Sequence, residues 1–222
     1  MRATEGPCAD AILGSRHDAA AEGFDSRAWA DTGETRRGGS RETSEDGYVV
    51  HEGCDHIFFV GFLGAGKSTL ARNLGHMFNR RYVDTDRLVE RACHRSVTQI
   101  FRSSGEDAFR DYETHELSRL SSRRSLLVSC GGGIVERPDN ERIMHEMGVI
   151  VYLEGSLEDS LRQIRHPEKR PDLGDREHAA ALFAHRRPLY EGFCDYRVSI
   201  AGKTFDEVLA SAGELLWEKG LL

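Results

Sequence analysis

The chain has 222 residues, enough for one or two domains, and is 39% hydrophobic and 8% aromatic, as is usual for a globular protein. No apolar stretch approaches the ~20 residues that a membrane-spanning helix needs, and the first residues lack the apolar core of a secretory signal. The net charge of −7 argues against a broad basic surface. We therefore expect a cytoplasmic protein with neither a membrane nor a nucleic acid as partner.

The acidic charge is concentrated near the N-terminus. Residues 1–55 contain six Arg and no Lys against 12 Asp and Glu, whereas the remainder is almost balanced. Large apolar residues are also scarce before residue 48. A segment of this composition buries too little apolar surface to offset the entropy lost on ordering. We therefore predict a disordered acidic extension over residues 1–55 and a folded domain over residues 56–222.

Five short apolar segments within the folded domain predict β-strands. In chain order they cover residues 56–61, 82–84, 126–129, 149–153 and 196–200. The stretches between them have helical periodicity, clearest at residues 67–78 and 205–220. Alternating strands and helices predict an α/β fold in which helices cover both faces of a parallel sheet. Ligands of such sheets bind at the carboxyl ends of the strands.

The first predicted strand leads into a glycine-rich loop, GFLGAGKST, over residues 61–69. Glycines allow successive backbone N–H groups to turn towards phosphate oxygens, and the following helix adds the positive end of its dipole. Lys67 is placed to reach the β and γ phosphates, and the Ser68 hydroxyl is placed to ligate Mg²⁺. The loop therefore predicts a nucleotide-binding site, although it does not separate a kinase from other nucleotide-binding proteins.

Two carboxylates, Asp84 and Asp86, end the second predicted strand and lie two residues apart, so they point the same way. Asp84 could hold Mg²⁺ through water, which matters because the third strand reads Leu-Leu-Val-Ser and has no carboxylate of its own. Asp86 could accept a proton or a hydrogen bond from an alcohol. The pattern alone is equally typical of a strand end or a helix cap.

A second group of candidate residues follows. The stretch FRDYE places Arg110 and Glu113 on one face of a helix that we predict to begin near Glu106. Arg110 could bind a carboxylate with Glu113 holding its guanidinium, although an exposed ion pair is the commoner meaning of this spacing. Three glycines, Gly131 to Gly133, follow the third strand and would let a small ligand approach the backbone closely, or form a flexible turn.

Taken together, the motifs GFLGAGKST, DTD, FRDYE, GGG, KRP and RRPLY, in this order, resemble those of the shikimate kinase family over about residues 56–220. The resemblance implies a three-layer α/β/α P-loop kinase fold with a five-stranded parallel sheet and a mobile lid, here about residues 164–180. It also implies transfer of the γ-phosphoryl group of ATP to the 3-hydroxyl of shikimate, with Mg²⁺ as cofactor. Shikimate and ATP are then the expected partners.

Individual roles are implied by the same resemblance. Catalysis would involve Lys67, Asp86 and Arg170. Shikimate would be bound by Asp86, Arg110, Glu113, Gly131, Gly132 and Arg186. ATP would be bound by Gly64, Ala65, Gly66, Lys67, Ser68, Thr69, Arg170 and Lys203, and Mg²⁺ by Ser68 and, through water, Asp84. RRPLY favours Arg186 over Arg187 for the substrate carboxylate without deciding between them.

Other functions stay open at this point. A related small kinase with another carboxylate-bearing acceptor, such as gluconate, would share most of these motifs. A regulatory domain that binds ligand without turnover should have lost Lys67, Asp86 or Arg170, and all three are present. An oligomeric ATPase would need a carboxylate on the third strand and an arginine from a neighbouring subunit. We expect a monomer.

Overall fold

The computed structural model describes residues 41–45, 47–51, 56–162 and 175–222. Its strands are β1 (Arg41–Thr43), β2 (Val49–His51), β3 (His56–Val60), β4 (Tyr82–Asp84), β5 (Leu127–Ser129), β6 (Gly148–Glu154) and β7 (Tyr196–Ser199). Its α-helices are α1 (Lys67–Met77), α2 (Thr85–Cys93), α3 (Val97–Ser118), α4 (Pro138–Met147), α5 (Leu157–Arg162), α6 (Arg176–Phe193) and α7 (Phe205–Glu218).

Strands β3 to β7 form one sheet in the order β4-β5-β3-β6-β7. Every neighbouring pair is parallel, and β3 lies in the centre between β5 and β6. Its five residues are all buried, which explains why HIFFV lacks the alternation of a half-exposed strand. The predicted five-stranded parallel sheet is confirmed, with each predicted strand within one residue of its observed bounds at either end.

Helices cover both faces of this sheet because successive side chains of a strand point to opposite sides. Phe58 and Val60 of β3 belong to one apolar cluster, which also contains buried residues of α4 and α6. Ile57 and Phe59 belong to a second cluster, with buried residues of α1 and α7. The arrangement is therefore three-layered, α/β/α, as the sequence predicts.

The carboxyl ends of the parallel strands lie at one edge of the sheet, and the candidate site residues follow them directly. The glycine-rich loop follows β3, Asp86 follows β4, the three glycines follow β5, and Lys203 follows β7. Parallel pairing thus gathers segments that are far apart in the sequence at a single edge.

Helix α3 contains a break that matters for the site. Ser96 and Gln99 form a capping box at its start, but Gly105 has φ 84° and ψ 174°, which no α-helix accommodates. A residue with a side chain would be strained at this φ, so glycine is suited to the position. Helical geometry resumes after it, which agrees with the predicted helix start near Glu106.

The structure corrects the predicted extension in one respect. Strands β1 and β2, within the predicted disordered residues 1–55, pair as an antiparallel hairpin. Its turn is closed by hydrogen bonds between Ser44 and both Gly47 and Tyr48. Beyond the hairpin, Asn79 Nδ2 donates to the Gly47 carbonyl at 2.7 Å, and the Arg81 guanidinium lies 5.1 Å from the centre of the Tyr48 ring. Composition could not predict these contacts because their partners lie outside the segment.

Two predictions fall mainly on residues that the structure leaves undescribed. The disorder predicted for residues 1–40 and 52–55 lies there, as do residues 164–174 of the predicted lid, including Arg170. Residues 176–180 of that lid are the first turn of α6, which Asp175 caps by accepting a hydrogen bond from the His178 N–H. Within the described ranges, no helix is both long and apolar enough to cross a bilayer.

Candidate active site

The glycine-rich loop has the backbone conformation of a phosphate cradle. Gly64 and Gly66 have φ values of +84° and +87°, where side-chain-bearing residues are strained, and Gly66 immediately precedes α1. The first N–H groups of α1 therefore open towards the loop. Lys67 is only 8% exposed, and its Nζ donates to the carbonyls of Gly61 at 2.6 Å and Phe62 at 2.9 Å. The lysine charge is thus held within the loop that would receive the phosphates.

Next to this loop, three oxygen-bearing side chains from three elements meet. The Ser68 hydroxyl donates to Asp84 Oδ2 at 2.7 Å and lies 2.9 Å from the Ser129 hydroxyl. Asp84 also caps α2, because its Oδ1 accepts a hydrogen bond from the Arg87 N–H at 3.3 Å. Hydroxyl and carboxylate oxygens are the ligands that Mg²⁺ prefers, and Mg²⁺ commonly takes few of them from protein. The chemistry of this group fits the predicted metal.

The three glycines after β5 each face a different site residue. A Cβ atom at Gly131 would collide with Asp86 and Glu113, and one at Gly133 would collide with the Arg110 guanidinium. The Gly131 N–H donates to Thr85 Oγ1 at 2.8 Å, so it is engaged by the protein itself. Gly131 and Gly133 therefore leave no space for a Cβ atom, whereas one at Gly132 would meet its neighbours only at 3.4 Å or more. The packing at Gly131 and Gly133 argues against the flexible-turn alternative.

The Arg110 side chain is only 4% exposed. Arg110 and Glu113 therefore do not form the exposed ion pair that their spacing in the sequence would commonly indicate. Its Nη1 donates to Glu113 Oε2 and its Nη2 donates to Glu106 Oε1, both at 2.8 Å. Burial alone would lower the pKa of Arg110, but the charges and hydrogen bonds of Glu113 and Glu106 more than compensate and raise it. Its Nε is buried and has no hydrogen-bond partner in the described part of the chain.

A second buried guanidinium reaches the same turn from α6. Arg186 is 1% exposed, and its Nη1 lies 3.7 Å from the position that a Cβ of Gly132 would take. Tyr190, one helical turn later, donates its hydroxyl to the Gly132 carbonyl at 2.5 Å. Arg187 instead is 58% exposed and pairs with Glu191 at 2.8 Å. The structure therefore places Arg186, and not Arg187, beside the three glycines.

The predicted site residues divide into three sets by their position. Those around the three glycines are Asp86, Arg110, Glu113, Gly131, Gly132 and Arg186. Those of the phosphate cradle and metal group are Gly64, Ala65, Gly66, Lys67, Ser68, Thr69 and Asp84. Lys203 lies at the carboxyl end of β7, where its Nζ donates to Ser211 Oγ at 3.1 Å, and Arg170 lies outside the described residues.

A model of the shikimate kinase family matches residues 63–216, most of the chain. The chain belongs to the shikimate kinase family. The shikimate kinase of Prochlorococcus marinus is 34% identical over 168 residues, which are 74% of this chain and 84% of that protein. The shikimate kinase of Dictyoglomus turgidum is 36% identical over 157 residues, 68% of this chain and 91% of that protein.

Solved structures of shikimate kinases agree with this assignment. The shikimate kinase of Acinetobacter baumannii in complex with shikimate superimposes with a TM-score of 0.71 at 29% identity, covering 77% of this chain and 97% of that one. The shikimate kinase of Aquifex aeolicus gives a TM-score of 0.63 at 28% identity, covering 75% and 98%. The three-layer kinase fold is thus shared over nearly the whole length of these enzymes.

In this member of the shikimate kinase family, the structure adds contacts that the sequence did not predict. Glu106 binds Arg110, Glu136 accepts a hydrogen bond from Arg186 at 2.7 Å, and the Ser129 hydroxyl lies next to that of Ser68. The four-residue spacing of Glu106 and Arg110 on one helix could have predicted their ion pair. Glu136 and Arg186 lie 50 residues apart, so no local pattern could have paired them.

Replacing Gly133 with alanine is expected to raise the KM for shikimate about tenfold, with the KM for ATP unchanged. The new methyl group would collide with the Arg110 guanidinium, which Glu106 and Glu113 hold in place. The enzyme should therefore fold with this guanidinium displaced and with reduced stability. Steady-state kinetics with each substrate varied in turn would measure this. Gly192→Ala is the matched control, because a Cβ there meets nothing within 4 Å. Equal KM values for shikimate in Gly133→Ala and Gly192→Ala would contradict the expectation that the glycine turn is part of the shikimate site.

Proposed function

We propose that the protein transfers the γ-phosphoryl group of ATP to the 3-hydroxyl of shikimate, giving shikimate 3-phosphate. The observation that carries the proposal is that two buried guanidinium groups, Arg110 and Arg186, flank one glycine turn at the edge that also holds the phosphate cradle. Two arginine forks suit an acceptor with a carboxylate, and the close packing at Gly131 and Gly133 suits a small polar ring.

On the nucleotide side, the cradle from Gly64 to Thr69 binds the ATP phosphates through backbone N–H groups and the dipole of α1. Lys67 neutralises charge that develops on the transferred group. Arg170 contributes a second positive charge at the phosphates, and Lys203 contacts the adenine end. Because the transition state of phosphoryl transfer is loose, catalysis consists mainly of alignment and charge neutralisation.

On the acceptor side, Arg110 and Arg186 hold the shikimate carboxylate, and Glu113 keeps Arg110 in place through its 2.8 Å contact. Gly132 offers its backbone N–H, while Gly131 allows the close approach. Asp86 binds the acceptor hydroxyls and orients the 3-hydroxyl towards the γ-phosphate. In a loose transition state little proton transfer from the attacking hydroxyl is needed. The main role of Asp86 is therefore to orient the 3-hydroxyl and not to deprotonate it.

Mg²⁺ is the proposed cofactor, held by the Ser68 hydroxyl and, through water, by Asp84. When bound, it would neutralise charge on the ATP phosphates. We expect Asp84→Asn to raise the Mg²⁺ concentration for half-maximal rate about tenfold, because an amide binds hard cations more weakly than a carboxylate does. Asparagine is as effective as aspartate at the N-terminal cap of a helix, so the start of α2 should be preserved.

A Mg²⁺ titration at fixed ATP and shikimate measures this effect. Asp139→Asn, in the first turn of α4, is the control for loss of one carboxylate on a helix start. If both variants need the same Mg²⁺ concentration as the unaltered chain, Asp84 is not part of the metal site.

The function itself is tested by coupled measurement of ADP release with Mg²⁺ and ATP, comparing shikimate, gluconate and no acceptor. Turnover with shikimate alone is the expected result. Turnover with gluconate would identify another acceptor, and ADP release without any acceptor would indicate an ATPase. Tight binding of ATP without release of ADP would indicate a regulatory domain. The active unit is proposed to be a monomer whose kinase domain spans residues 56–222.

A further inference from the structure

Glu136 lies at the end of the short 3₁₀ turn Ile134–Glu136 that follows the three glycines. Its Oε1 accepts a hydrogen bond from Arg186 Nε at 2.7 Å, and its Oε2 lies 3.0 Å from His185 Nε2. The turn is tied to the glycines by a hydrogen bond from the Glu136 N–H to the Gly133 carbonyl at 3.0 Å. One carboxylate thus binds two consecutive side chains of α6 from a fixed position next to the glycine turn.

The contact with Glu136 determines which edge of the Arg186 guanidinium faces the site. A guanidinium presents donors along two edges, and the carboxylate of Glu136 engages the edge that carries Nε. The Nη atoms point elsewhere: Nη1 lies beside Gly132, and Nη2 lies 3.9 Å from Glu106 Oε1. Nη1 is therefore the atom that faces the glycine turn.

Glu136 is suited to hold this arrangement at neutral pH. Burial alone would raise the pKa of its carboxyl group, but hydrogen bonds from Arg186 and His185 outweigh that effect, and the pKa is lowered. The carboxylate therefore stays ionised in the range where the enzyme would work. Charge-assisted hydrogen bonds of this kind are shorter and stronger than neutral ones and confer geometric specificity.

We propose that Glu136 is a positioning residue for acceptor binding, because it fixes the Arg186 guanidinium with its Nη edge towards the carboxylate of shikimate. The inference rests on the proposed function and extends it to a residue that does not itself contact shikimate. Pre-ordering the arginine reduces the conformational entropy lost when the substrate binds. Its removal should therefore affect the KM for shikimate and leave kcat and the KM for ATP largely unchanged.

Two conservative variants separate the effect of the position of the Glu136 oxygen from the effect of its charge. Glu136→Gln keeps an oxygen at the same reach and removes the charge, so the contact with Arg186 is weakened but not lost. We therefore expect the KM for shikimate to rise by no more than about threefold. Glu136→Asp keeps the charge but is one methylene shorter, so the 2.7 Å contact is lost and the KM should rise about tenfold. In both variants kcat should change less than about twofold.

The chain provides a matched control on the same helix. Glu191 binds Arg187 Nε at 2.8 Å, the same donor atom at nearly the same distance, but Arg187 is 58% exposed and Glu191 31% exposed. Glu191→Asp should leave the KM for shikimate within about twofold of its original value. Melting temperatures of all three variants would show whether any change in KM follows from lost stability.

The outcomes distinguish this inference from the function on which it rests. Failure of the unaltered enzyme to phosphorylate shikimate would overturn the proposed function. With an active unaltered enzyme, an unchanged KM in Glu136→Asp, or a rise as large in Glu136→Gln, would overturn the positioning role. A rise in KM that Glu191→Asp shares would also overturn it, because the effect would then belong to the helix and not to Arg186.

Discussion

Lys67→Met is expected to lower kcat about 1,000-fold, the largest effect among the variants considered. The Lys67 side chain is 8% exposed, and its ammonium group lies within the loop, 2.6 Å from the Gly61 carbonyl and 2.9 Å from the Phe62 carbonyl. Methionine has a similar length and fills the same space, but it cannot neutralise charge on the transferred phosphoryl group. The chemical step should therefore be lost while the loop keeps its fold.

Single-turnover measurements with ATP and shikimate would isolate that step from product release. The binding constant for shikimate should stay within about twofold, because the proposed acceptor site is built from Arg110 and Arg186 beside the glycine turn and not from this lysine. Lys219→Met, which replaces an exposed lysine after α7, is the control for loss of one positive charge. A Lys67→Met enzyme with nearly unaltered kcat would contradict the assigned role of the loop.

Arg110→Ala is expected to raise the KM for shikimate about 100-fold and to leave the KM for ATP within about twofold. The guanidinium is buried between Glu106 and Glu113 and lies against Gly133. Loss of two charge-assisted hydrogen bonds to a carboxylate accounts for an effect of this size. Steady-state kinetics with each substrate varied separately would measure it.

Stability has to be followed in the same experiment, because Glu113 is fully buried and the substitution removes a charge partner 2.8 Å away. Breaking a buried pair of this kind costs about 3 kcal/mol of unfolding free energy, which thermal melts would detect. Arg137→Ala is the matched control, since Arg137 is partly exposed and pairs with Asp107 and Asp111 of the same helix α3. Equal loss of affinity for both substrates in Arg110→Ala would indicate a role in folding only.

Local patterns in the sequence were sufficient to predict most of the sheet. HIFFV is buried on both sides at the centre of the sheet, and a continuous apolar run is the pattern that such a strand requires. The break at Gly105 likewise agrees with a helix predicted to begin near Glu106. The hairpin of β1 and β2 was missed, because Asn79 and Arg81 contact it from outside the segment whose composition predicted disorder.

The sequence by itself determined the phosphate cradle, since GFLGAGKST contains its glycines, its lysine and its hydroxyl within nine consecutive residues. Only the tertiary structure decided which arginine of the RRPLY stretch lies beside the three glycines. Arg186 and Arg187 are neighbours in sequence but point about 100° apart on a helix, and α6 turns the first towards Gly132 and the second towards Glu191. The same holds for Glu136, because a contact that spans 50 residues exists only once β5 and α6 have packed together.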